Sequence, residues 1–191
     1  AANGAAGIIS PYLLYVGSAY PHKNLERLID AYLLLRTRYK RSWQLVLAGR
    51  MDAFYERVVR YADKTAPPEI RRDIIFAGEV SDATLDGLYG GAKCFVLPSL
   101  YEGFGLPCLE AAKAGAPVVC SKAASLPEVM AAGAGYFDPE NAESIAHALN
   151  KVGGSHLAAE ELRIAGRERA KLFSWKKTAR QTVDVYNSFV V

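Results

Sequence analysis

Short apolar runs alternate with longer amphipathic stretches along nearly the whole chain, and few folds accommodate that alternation. A strand buried on both faces reads as an unbroken apolar segment, whereas a helix lying on a sheet keeps one apolar stripe and one charged face. Residues 12–16, 44–48, 74–77, 94–97, 117–120 and 135–137 are the expected strands. Between them, 24–39 sets Leu25, Leu28, Ile29, Tyr32 and Leu35 at helical spacing, and 52–64 and 82–89 follow the second and third strands. The stretch 106–114 has Pro107 near its first helical position and Gly115 at its end, the asymmetry a helix favours. Ser125-Leu-Pro-Glu128 reads as a capping box opening the next helix, and 141–151, 158–172 and 175–190 complete the set. The expectation is a doubly wound, Rossmann-like α/β domain with about six parallel strands flanked by helices.

Composition narrows what such a domain does. With 51% hydrophobic and 23% charged residues and a net charge of only +3, the 191-residue chain has the balance of an ordinary globular domain. That balance argues against a disordered tail and against a nucleic-acid partner, and allows only loose attraction to an anionic membrane. Cys94, Cys108 and Cys120 are odd in number and sit in or beside apolar runs, so buried free thiols in a reducing compartment are expected. No apolar stretch approaches the roughly 18–20 residues needed to span a bilayer. Residues 1–10 read as a linker without the features of a signal peptide, and residues 11–191 as one domain. The expected location is cytoplasmic, at most at the inner face of the membrane.

In sheets of this kind ligands bind outside the carboxyl ends of the strands, so the loops after the strands matter most. After the fourth strand, Gly103 and Gly105 flank Phe104 and let the backbone approach a ligand closely. The helix starting at Leu106 offers unpaired N–H groups and a positive dipole end, an anion site for which Gly105, Leu106 and Cys108 are the available donors. Glu110, about one turn in, suits a vicinal diol such as a ribose, and Glu102 suits a hexose hydroxyl or a developing positive charge. The plainer reading makes the glycines a turn, Glu110 a response to the helix dipole and Glu102 a solvated side chain. Two carboxylates bracketing a Gly-Phe-Gly loop favour the ligand. After the first strand, Gly17 and Ser18 lead to Lys23 at a helix start, where its charge opposes the dipole and a bound anion would explain it. His22 reads as a turn residue, and His147 and His156 as surface residues. After the third strand, Ser81 or Asp82 caps a helix, and the backbone there can read a base edge. No residues stand at metal-ligand spacing.

Several blocks add a resemblance: Tyr15-Val-Gly-Ser-Ala-Tyr-Pro-His-Lys-Asn-Leu25, Phe76-Ala-Gly-Glu-Val-Ser-Asp82, Phe95 through Ala111, Gly115-Ala-Pro-Val-Val119, Ser125-Leu-Pro-Glu128 and Phe173-Ser-Trp175. Together they resemble the C-terminal domain of family-4 retaining glycosyltransferases of GT-B architecture, in the mannosyltransferase-like branch. The similarity spans about residues 10–190, and the Glu102 to Glu110 block matches the family's Glu-x7-Glu signature. The resemblance implies that Lys23 binds the donor diphosphate, that Gly105 and Leu106 present N–H groups to donor oxygens, and that Glu110 holds the ribose. It places Glu102 against the transferred sugar and the backbone near Val80 against the base. Many relatives carry an arginine where this chain has Ser18, which leaves neutralisation of the diphosphate to Lys23.

The implied reaction is retaining transfer of a hexosyl group, mannose favoured, from a nucleoside diphosphate sugar to an acceptor hydroxyl. GDP-mannose is the favoured donor, with UDP- and dTDP-sugars open, and neither cofactor nor metal is required. The family also needs an N-terminal domain that binds the acceptor, for which this chain has no room. The expected partner is therefore that domain, with residues 174–190 crossing to it and membrane association confined to the full enzyme. The alternatives are a non-catalytic sugar-nucleotide-binding module, a nucleotide-sugar epimerase-like enzyme, and a scaffold that has lost its ligand.

Overall fold

A computed structural model describes residues 7–9 and 11–189. They form a six-stranded, all-parallel sheet made of β1 (Tyr12–Val16), β2 (Gln44–Ala48), β3 (Ile74–Gly78), β4 (Cys94–Leu97), β5 (Val118–Ser121) and β6 (Ala134–Phe137). The strand order is β3-β2-β1-β4-β5-β6. The chain thus winds outward from β1 to one edge, then returns to lay β4 on the other side of β1, a doubly wound topology with its switch between β1 and β4. The central strands β1, β2, β4 and β5 are buried at nearly every position. The edge strand β3 is mostly half-buried although its sequence is as apolar, because an edge has a neighbour on one side only.

The covering helices are α1 (Leu25–Thr37), α2 (Ala53–Thr65), α3 (Pro68–Arg71), α4 (Asp82–Gly91), α5 (Leu106–Ala114), α6 (Leu126–Met130), α7 (Ala142–Gly153), α8 (His156–Lys171) and α9 (Trp175–Phe189). The apolar stripe expected of 24–39 is the buried face of α1, with Leu25, Leu28, Ile29, Tyr32 and Leu35 all in the core. Asp52 caps α2 by accepting from the N–H groups of Phe54 and Tyr55, and Ser81 caps α4 through Thr84. α5 ends at Gly115 in the left-handed region, φ 88°. Four-residue α3, opened by Pro67-Pro68, is too short to show periodicity and is not expected from the sequence.

The capping box expected at Ser125–Glu128 does not form. Ser125 is already in helical conformation, so its hydroxyl faces away from the N–H groups of α6 and donates instead to the Glu102 carbonyl at 2.9 Å. The linker expectation for 1–10 falls outside the described residues except at 7–9. There the Gly7 carbonyl and the Ile9 N–H both bind the side-chain amide of Gln44. Residues 190 and 191 of the last expected helix also lie outside the described residues. α9 buries none of its residues, and Trp175, Val183, Val185, Tyr186 and Phe189 are all more than half exposed.

Four tyrosines are the largest side chains buried completely: Tyr15, Tyr32, Tyr55 and Tyr89. Each still places its hydroxyl on a partner, as a buried phenol must. Tyr15 donates to the Ser18 carbonyl at 2.6 Å, Tyr55 to the Gly17 carbonyl at 3.0 Å, Tyr32 to the Trp43 carbonyl at 2.8 Å and Tyr89 to Glu110 at 3.3 Å. Two of the four, Tyr15 and Tyr55, therefore brace the loop after β1 at the carboxyl end of the sheet.

Candidate functional site

The two strands at the switch point each send out a loop, and the two loops are tied together. The loop after β1 closes with a 3₁₀ turn, Pro21–Lys23, followed by Asn24 in the left-handed conformation, φ 61°. The Asn24 side-chain amide donates to the Pro98 carbonyl at 3.0 Å and to the Pro139 carbonyl at 2.7 Å, joining the loops after β1, β4 and β6. The Leu100 N–H donates to the His22 carbonyl at 2.8 Å. Across this seam Lys23 Nζ and Glu102 Oε1 form an ion pair at 2.7 Å, with side chains only 18% and 11% exposed.

That pair alters the sequence reading of Lys23. Its charge at a helix start is answered within the protein by Glu102, so no bound anion is needed to explain its position. Glu102 is likewise not a freely solvated side chain. Ser99, fully buried, donates to the same Oε1 at 2.7 Å, and buried Ser121 donates to the Ser99 carbonyl at 2.6 Å.

Beyond Glu102 the chain turns into α5. Gly105 sits in the left-handed region at φ 86°, which favours glycine, and a Cβ there would lie 2.3 Å from Leu126 Cδ2 and force that side chain to shift. The N–H groups of Gly105 and Leu106 take no protein partner among the described residues. Cys108 does not share that role: its N–H donates to the Gly105 carbonyl at 2.9 Å, closing the first turn. The unpaired donors at this helix start are thus fewer than expected. Gly103, Phe104 and Leu106 are exposed, and Phe104 meets Phe173 edge-on at 5.6 Å. Glu110 is exposed, held only by the long bond from Tyr89 in α4. Burial first, then the Glu110 carboxylate, raises the Tyr89 phenol well above its ordinary range, so it stays a donor. A cavity of about 600 Å³ opens beside Glu110, between α5 and the α8–α9 junction, with Phe104, Leu109, Phe173 and Trp175 on its walls.

The remaining expected residues are more dispersed. The Gly17 and Ser18 carbonyls are held by Tyr55 and Tyr15, which fixes the loop from beneath. Gly49 lies so close that a Cβ on it would fall 2.0 Å from the Gly17 carbonyl oxygen, a constraint with no signal in the sequence pattern. Val80 is half-buried after edge strand β3, and its backbone N–H and C=O take no protein partner among the described residues. His22 is exposed and stacks on Tyr20 at 6.0 Å, and His147 and His156 are exposed on or beside their helices. No group of three or more His, Cys, Asp or Glu side chains able to hold a metal occurs among the described residues.

All three cysteines are free and buried. Burial pushes the Cys94 thiol up to about 12. Burial and a hydrogen bond with Cys120 push Cys108 well up as well. Asn24, Ser99, Ser121, Ser125 and Tyr89 are the site residues that sequence reasoning missed. Asn24 carried a local signal, an asparagine at the start of a helix, and Ser125 carried one that pointed to a different role, the capping box.

Fold and site together define a doubly wound α/β domain whose switch-point loops gather a lysine, two glutamates and the start of a helix. The sequence profile of Glycosyl transferases group 1 matches residues 9–171, and the chain belongs to that family. It is 39% identical over 181 residues to O-antigen chain mannosyltransferase B of Escherichia coli, covering 92% of this chain and 45% of that protein. Its fold matches sucrose-phosphate synthase from Thermosynechococcus elongatus with a TM-score of 0.82 at 27% identity, over 98% of this chain and 48% of that one. It also matches Anabaena HepE, solved in complex with UDP and glucose, with a TM-score of 0.79 at 19% identity, over 94% and 49% of the two chains. The chain thus spans under half the length of each of these proteins. Among the described residues no helix is long and apolar enough to cross a membrane.

Proposed function

We propose that this chain is the donor-binding half of a retaining hexosyltransferase that takes its sugar from a nucleoside diphosphate sugar. The observation that carries the reading is the meeting of Lys23, Glu102 and the open start of α5 at the β1/β4 switch point. A diphosphate laid on Gly105 and Leu106 meets two free N–H groups and a helix dipole, with the Lys23 ammonium close by. As the glycosidic bond to the donor breaks, negative charge grows on the diphosphate. Lys23 and the dipole stabilise that charge while Glu102 holds the sugar, so the work is positioning and electrostatics and requires no metal. Glu110 takes the ribose diol, and the free backbone groups of Val80 take the base. Gly17, Ser18, Gly103 and Phe104 line the approach.

The mannosyltransferase relative favours mannose and GDP-mannose, and UDP- and dTDP-sugars are the competing donors. The acceptor belongs to an N-terminal domain outside this chain, toward which the apolar face of α9 is directed in the whole enzyme. The reducing cytoplasm suits the three free thiols.

Calorimetric titration of the chain with GDP-mannose, UDP-glucose and dTDP-glucose tests the proposal. Binding of one of them, lost on Lys23→Ala, is the expected result. No binding by any at millimolar concentration rejects it. Hexosyl transfer by this chain alone would reject the half-enzyme reading in favour of a complete catalyst.

A further inference from the structure

Ser99, Ser121 and Gln44 are the buried polar side chains among the described residues, and two of these three lie directly beneath Glu102. A buried hydroxyl costs stability unless it is hydrogen-bonded, so its partner indicates what it is for. Ser99 follows Pro98 in the loop after β4 and spends its proton on Glu102 Oε1 at 2.7 Å. Ser121, at the end of the neighbouring β5, spends its own on the Ser99 carbonyl at 2.6 Å and so locks the backbone that carries Ser99. From the start of α6, Ser125 donates to the main-chain carbonyl of Glu102 itself at 2.9 Å.

We propose that Ser99 is a positioning residue for Glu102, backed by Ser121 and Ser125, and that it governs the affinity for the sugar part of the donor. The inference rests on the reading above, in which Glu102 meets the transferred hexose and Lys23 meets the diphosphate. In the structure Lys23 and Ser99 both donate to Oε1, while Oε2 takes no protein partner among the described residues. When a diphosphate draws Lys23 away, Ser99 is the donor that stays on Oε1. Hydrogen bonds to a carboxylate are short and strong, and a single one from a dry, fixed hydroxyl holds the group in place without a second cation. Oε2 is then the acceptor left for a sugar hydroxyl. Ser121 ends β5 and Ser125 stands at the entry to α6, so the loop shared by Ser99 and Glu102 is tied to two rigid elements through its Ser99 and Glu102 carbonyls.

The test compares binding of GDP-mannose with GDP, and of UDP-glucose with UDP, to the wild-type chain and to Ser99→Ala, with thermal unfolding measured alongside. Ser99→Ala is expected to lose about tenfold in affinity for the sugar nucleotide and to leave affinity for the matching nucleoside diphosphate unchanged. Ser121→Ala is expected to show a smaller loss of the same kind. A general loss of structure would lower both affinities together, and equal losses for the two ligands overturn the proposal. So does an unchanged preference for the sugar nucleotide. Should Ser99→Ala fail to fold, Ser125→Ala removes the half-buried hydroxyl on the Glu102 carbonyl and is read by the same ratio. If the wild-type chain binds the nucleoside diphosphate and its sugar form equally well, the positioning role falls while the donor site stands. If it binds neither, the donor site falls first.

Discussion

Glu102 and Glu110 belong to one continuous segment, a loop and the first turns of the helix it feeds, yet they live in opposite environments. Glu102 is nearly buried and is held by Lys23, Ser99 and Ser125, residues from three different loops. Glu110 is exposed and accepts one 3.3 Å bond from Tyr89. The difference teaches that the same side chain can be a fixed part of a scaffold or an adaptable ligand contact. In the proposed reaction that division is fitting. The group beside the reacting carbon must be placed before the substrate arrives, whereas a ribose diol needs only an available acceptor.

The contrast is most exposed to disproof in stability. Glu102→Ala leaves the Lys23 ammonium and the buried Ser99 hydroxyl without their acceptor, which costs about 1–3 kcal/mol and shifts the melting temperature of a domain this size by roughly 2–10 °C. Glu110→Ala takes away only the long bond from Tyr89, one donor against the two orphaned at Glu102, and is expected to shift the melting temperature by less than half as much. Comparable shifts in a calorimetric melt of the two variants would erase the distinction drawn between them.

Ligand binding sharpens it from the other side. Glu110→Ala is expected to weaken GDP by about tenfold, the scale of a charge-assisted hydrogen bond pair, while leaving its 2′,3′-dideoxy analogue unaffected. Equal weakening of both nucleotides would remove the ribose from the role of Glu110. It would return that carboxylate to a response to the helix dipole.

The smallest effect concerns the floor beneath the site. Burial raises Cys94 from its ordinary 9.0 to about 12 and Cys108 well above that ordinary value, so the folded state keeps protons that the unfolded chain gives up. The stability these thiols contribute is full below about pH 9 and falls as pH rises toward 12. Iodoacetamide at pH 8.5 should therefore leave Cys94 and Cys108 unmodified in the folded chain and label all three cysteines in guanidinium, as read by intact mass. Rapid labelling of Cys108 without denaturant would mean that the Glu102 side is as open to water as the Glu110 side.

Much of the domain was legible before any coordinates. The apolar runs predicted all six strands, two of them extended by a residue and the fifth displaced by one in the structure, and periodicity predicted the buried face of α1. Hydrophobic patterning works here because a strand covered on both faces leaves no choice of residue class. The Glu102 to Glu110 segment stood out for a similar reason, since glycines and a helix start are local features. Ser125 misled because a capping box is also local, whereas its hydroxyl is claimed by a carbonyl distant in sequence. Cys108 misled because the first turn of α5 closes on Gly105 and consumes its N–H.

By itself, then, the amino-acid sequence determined the alternation of strands and helices, the doubly wound class and the candidate residues for an anion and a diol. All of these follow from residue type and spacing along a few turns of chain. Only the tertiary structure decided that Lys23 and Glu102 meet, that Ser99 and Ser121 lie beneath them, and that Asn24 joins three loops. Those contacts join residues up to 115 positions apart, and their partners are chosen by the order of strands in the sheet, which no local pattern encodes. The crossover that sets β4 against β1 makes the two halves of the site neighbours.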